Sequence, residues 1–149
     1  MKNEIQEILQ RVLPNAFTQV TDYNLPLSQQ KGLKIIIAAS DFQINRVRGQ
    51  YPGCVSLMLN LDTLDLAPQV FGGMGGQHLM RLPDLQDPKE RHLAYSSVKL
   101  SFRKPKRAKE NVLKAIERFA KLWKDSISDN LDRMPRYGGN VDWAQVISG

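Results

Sequence analysis

Cysteine occurs once in the 149 residues, at Cys54, and histidine twice, at His78 and His92. A single thiol excludes an intramolecular disulfide and fits a reducing compartment. Cys54, His78 and His92 stand 24 and 14 positions apart, a spacing that matches no metal-ligand pattern. A thiolate at Cys54 with a histidine base would be a catalytic pair, but Cys54 opens an apolar run, where cysteine behaves as a small hydrophobe. No catalytic residue, metal ligand or cofactor is therefore assigned. No segment approaches the roughly 18 consecutive apolar residues of a membrane span. The opening "MKNEIQEILQRVLP" lacks the unbroken apolar core of a signal peptide. The expectation is a cytoplasmic protein with no membrane partner.

Glycine is concentrated in "FGGMGGQHLM", residues 71 to 80, which invites comparison with phosphate-binding loops. Those loops join a strand to a helix, so that backbone N–H groups and the helix N-terminus face the anion. Here the glycines lie between two strand-like runs, and Gln77-His78 follows where a P-loop needs Lys and then Ser or Thr. The stretch reads as a turn using positive φ angles. An enzyme with a pocket near Gly72 to Gly76 is the least favoured functional reading. Asp41, after the most apolar run, reads as the close of an Asx turn. Asp62 and Asp65 form a close pair at a hairpin, where water gives no means of splitting their pKa values for acid–base work.

What is abundant is periodicity. Ile5, Ile8, Leu9, Val12 and Leu13 recur at helical spacing and predict an amphipathic helix over 2–13, ended by Pro14. A polar, proline-containing connection follows. "LKIIIAA" has the β-branched density of a strand, which "SDFQIN" extends, and "RVRGQYPG" supplies a turn. Alternation at Val55, Leu57, Leu59 and Leu61, with a second run from Leu64, predicts strands 54–61 and 64–71 about a hairpin centred on Asp62-Thr63. Further strands are predicted at 77–82 and 92–102. From 106 to about 130, Val112, Ile116, Phe119, Ala120, Trp123 and Ile127 mark one face of a long helix. The predicted class is α+β: an N-terminal helix, an antiparallel meander of about five strands, a long amphipathic helix packed on the sheet, and a short C-terminal segment. Residues 1–135 read as one domain. Residues 136–149 read as a hinge at "RYGGN" followed by a segment expected to dock through Trp143.

Charge is unevenly distributed. Residues 1–90 hold eight Lys and Arg against nine Asp and Glu, and residues 91–149 hold thirteen against six. Lys99, Arg103, Lys104, Lys106, Arg107 and Lys109 all precede the next acid, Glu110. Beyond it, Glu110 with Lys114 and Glu117 with Lys121 compensate each other at i, i+4. The cluster surrounds a helix start implied by Pro105, where the macrodipole disfavours cations and favours an anion. Arg103, Lys104, Lys106, Arg107 and Lys109 are therefore expected to bind a polyanion, nucleic acid above others, in a non-enzymatic binding domain. Tyr95 and Phe102 would add base stacking if they faced outward. Replacing Arg103, Lys104, Lys106 and Arg107 by Gln should then weaken binding while stability holds or rises. The alternative is a protein-interaction adaptor working through a sheet edge or the C-terminal segment.

Overall fold

The computed structural model describes residues 1–24, 30–40, 53–68, 77–83, 95–132, 134 and 141–149. Helix α1 (Lys2–Val12) turns Ile5, Leu9 and Val12 inward, the stripe its periodicity requires. Leu13 donates its N–H to the Leu9 carbonyl at 2.8 Å, and Pro14 cannot continue the ladder.

Strand β1 (Phe17–Asn24) lies where the sequence reads as a polar, proline-containing connection after α1. Only Val20 of its side chains is buried, so hydrophobic alternation gives almost no signal there. Its ladder with β2 (Lys31–Ala38), running from Phe17 opposite Ala38 to Asn24 opposite Lys31, supplies the missing stabilisation. The β-branched Thr18, Val20 and Thr21 suit that pleated setting. β2 is buried from Gly32 to Ala38, including Lys34, whose ammonium lies 5.9 Å from the Tyr23 ring centroid.

β3 (Val55–Asn60) and β4 (Leu66–Pro68) complete an antiparallel sheet in the order β1-β2-β3-β4. Val20, Ile35 and Leu57 stand side by side across three strands, as do Leu33, Leu59 and Leu66. These rows hold the register, since a slip of one residue would turn each apolar set away from the core. The expected hairpin is present, with Asn60 shaping its turn: Asn60 Oδ1 accepts the N–H groups of Asp62 at 2.8 Å and Thr63 at 3.1 Å. β5 (Gln77–Pro83) and β6 (Tyr95–Ser101) form a second, two-stranded antiparallel ladder. Among the described residues the strands number six, in two antiparallel ladders, and the molecule has the α+β class that the sequence predicts. The extension beyond Ser40 at 41–45, the outer end of the 64–71 strand, the Gly72–Gly76 loop, Asp41, His92 and the 136–140 hinge lie outside the described residues.

Helix α2 (Lys109–Asp129) buries all six residues expected on its inner face. Together with α1, the inward sheet residues, Leu100 and Phe102, they form one apolar cluster. Two charged contacts fasten the helices at the cluster's edge: Arg11 to Glu117 at 2.7 Å and Lys109 to Glu4 at 2.8 Å. The Lys109 hydrogen bond, and then the N-terminal ammonium, hold Glu4 below the ordinary value of 4.5. The Arg11 hydrogen bond does the same for Glu117. An acid strengthened by folding contributes stability above its unfolded pKa and loses it as pH falls through its folded pKa. The melting midpoint should therefore drop on acidification below 4.5, and less steeply in an E4Q/E117Q variant. Equal acid sensitivity in the two proteins would show that these pairs contribute nothing.

The C-terminal segment docks. Helix α3 (Trp143–Val146) is capped by Asp142, whose Oδ1 accepts the Gln145 N–H at 3.2 Å. Trp143 and Val146 are buried, and Asn15 Nδ2 donates to the Ser148 carbonyl and hydroxyl, each at 2.9 Å. Four residues cannot sustain a helix alone, so this packing orders it. No helix of the described residues is long and apolar enough to cross a membrane.

Candidate functional site

The basic cluster lies in the extended connection between β6 and α2, and the helix begins later than Pro105 suggests. Ala108 is the N-cap and Lys109 the first helical residue. Proline disfavours a helical conformation at the residue before it. Beyond it, the Lys106 carbonyl accepts the Ala108 N–H at 2.8 Å, a tight bend that delays the first helical turn. Arg103, Lys104, Lys106 and Arg107 thus precede the helix, all of them exposed. No side chain caps its first turn.

Three of the five predicted anion-binding residues already have acidic partners. Lys104 Nζ lies 2.7 Å from Asp65 Oδ1, and the Arg107 guanidinium 3.6 Å from the same atom. Lys109 is occupied by Glu4. Arg103 and Lys106 have no ion pair with any described residue. The hairpin places Asp65: Thr63 Oγ1 accepts its N–H at 3.3 Å, and its carbonyl accepts the Asn60 N–H at 2.9 Å. Asp65 Oδ1 is shielded from solvent and makes no aligned hydrogen bond, so its contact with Lys104 is chiefly Coulombic. Replacing Lys104 and Arg107 would leave this shielded oxygen without its counter-charges. The expectation that stability holds or rises in a variant lacking both is corrected accordingly.

Arg103 and Lys106 open onto a groove. A cavity of about 630 Å³ lies between the connection and α2. One wall carries Arg103, Lys104 and Lys106; the other carries Lys114 and Arg118. Its apolar lining includes Pro105, Ala115 and Leu122, with Phe102 and Phe119 beneath. The two phenyl rings meet edge to face, with centroids 6.1 Å apart at 78°. At 8 % exposure, Phe102 belongs to the core and offers no face for base stacking, the outcome strand alternation allowed.

Lys114 and Arg118 were absent from the sequence-derived site because α2's outward charges read as self-compensating. Lys114 does pair with Glu110, at 3.0 Å, but both side chains are highly exposed, and such a pair is weak. Arg118 has Lys114, Ala115, Lys121 and Leu122 at its i±3 and i±4 positions, so no acid can reach it along the helix. That absence was legible in the sequence. Asp65 as a counter-charge was not, because it comes from a hairpin distant along the chain.

Among the described residues no group of three Cys, His, Asp or Glu could hold a metal. Cys54, half-buried beside β3, is in no disulfide. Compared with protein families, curated proteins and solved structures, the chain finds no match.

Proposed function

We propose that this protein is a non-enzymatic binding domain of the cytoplasm that holds nucleic acid, through its phosphates, in the groove beside α2. One observation carries the reading: Arg103, Lys106 and Arg118 converge on a single groove from two walls, exposed and without an ion pair to any described residue. Stability gives no reason to gather like charges in this way, whereas a polyanion gives one. Lys114 is available once its weak pair with Glu110 yields. Lys104 and Arg107, held by Asp65, form a secondary set. The amphiphilic lining calls for no general acid, base or nucleophile.

The test is anisotropy of labelled single- and double-stranded DNA and RNA at low and physiological salt, with melting curves alongside. R103Q/K106Q/K114Q/R118Q removes every cation of the groove except Lys104, which Asp65 holds, so its affinity should fall steeply while its melting point stays within a few degrees of wild type. D65N should do the reverse. It frees Lys104 and Arg107 for ligand, raising affinity several-fold, and it removes an ion pair worth about 0.2–1 kcal/mol at a partly exposed site, lowering the melting point slightly. Absent low-salt binding by wild type would overturn the proposal and leave a protein-interaction role in its place.

A further inference from the structure

The groove's size and lining narrow the ligand further, given the nucleic-acid reading above. We propose that it admits an unpaired strand, seating a base on its apolar floor while the adjoining phosphates meet its rim. A cavity of about 630 Å³ falls in the range of sites that enclose a small ligand, large enough for one segment of a strand. A duplex is a wide rod with its bases stacked inside. It would meet only the rim and leave Pro105, Ala115 and Leu122 facing water. An unpaired base exposes its apolar faces, so a strand alone can cover that floor and satisfy the cations together. Rim and floor also lie close in sequence, since Arg103 and Lys106 flank Pro105, and Lys114 and Arg118 flank Ala115. Charged and apolar residues therefore adjoin one another in the groove's lining, as phosphates adjoin bases along a strand. Buried Phe102 and Phe119 do not stack; they support the floor from below.

The full-length chain is titrated with labelled oligothymidylate, with the same strand paired to oligoadenylate, and with an abasic deoxyribose-phosphate oligomer of equal length. Oligothymidylate should bind several-fold more tightly than either of the others, although the duplex carries the denser charge. Ala115→Leu extends a half-exposed helical position into the floor with a residue that favours helix. It should weaken oligothymidylate several-fold and leave the abasic oligomer unchanged, a difference that general destabilisation would not produce. The comparison of the three ligands on wild type stands even if that variant folds poorly. Equal affinity for strand, duplex and abasic oligomer would overturn the inference while leaving phosphate binding intact. Competition by polyglutamate as effective as by oligothymidylate would likewise overturn it, pointing to an acidic peptide. If none of the three oligomers binds, the underlying reading falls too.

Discussion

Trp123→Ala is expected to cost about 3–5 kcal/mol, the range for deleting a large buried aromatic side chain. Leaving a buried carbonyl without its donor adds about 1–3 kcal/mol. Trp123 is fully buried on α2, and its indole N–H donates to the Gly53 carbonyl at 2.6 Å. That bond ties the main helix to the residue before Cys54, at the entry to β3. Because whole domains are stable by only about 5–15 kcal/mol, the variant should melt far below wild type or fail to fold at ordinary temperature. Trp123→Phe keeps most of the volume and loses the donor, so it should fall between the two. Denaturant midpoints decide the matter; an unchanged midpoint for Trp123→Ala would mean that α2 packs on another face.

Gly53→Ala should be the next most damaging change. Gly53 has φ +76°, where a left-handed conformation costs other residues about 1–2 kcal/mol. An added Cβ would also lie 2.8 Å from Trp143 Cη2 and 3.2 Å from Ile127 Cδ1. Both neighbours are buried and have little room to retreat, and overpacking of this kind costs about 1–3 kcal/mol. The strain should be relieved at the weakest element, the four-residue α3. Hydrogen exchange at 143–146 should accelerate while the middle of α2 stays protected. Combining Gly53→Ala with Trp143→Ala should cost less than the sum of the two changes, because the second removes the ring that the first strikes. Strict additivity would deny that the two residues are in contact.

These two residues also mark where the sequence was informative. Trp123 belongs to a helical stripe whose six apolar positions announce both the element and its buried face, and α1 was legible for the same reason. The 55–66 hairpin followed from alternation interrupted by polar turn residues. β1 was obscured because a strand with one buried side chain has no apolar period to detect; its ladder with β2 exists only once the chain has folded. The division of strands between two ladders is likewise set by long-range pairing that local patterns do not encode. At Gly53 the sequence offered a turn, but not a glycine pressed against Trp143.

The groove divides in the same way. Charge density along 99–109 pointed to one wall, and the want of any acid at the i±3 and i±4 positions of Arg118 held the clue to the other. Which cations were already neutralised depended on Asp65 and Glu4, brought in from a hairpin and from α1. Phe102 shows the converse limit, since an aromatic residue at the end of a strand is a stacking platform or a core residue according to which face the fold covers.

The central claim, that Arg103, Lys106 and Arg118 bind phosphate in the groove, is tested most directly by the salt dependence of single-strand binding. The logarithm of the association constant is plotted against the logarithm of salt concentration for wild type and for R103Q/K106Q/R118Q. With about 0.7 counterions released per phosphate contact on a single strand, these three cations predict a wild-type slope of about −2 or steeper and a variant slope shallower by about 2, the remainder coming from Lys104, Arg107 and Lys114. A wild-type slope near zero, or a variant slope as steep as wild type's, would contradict the claim.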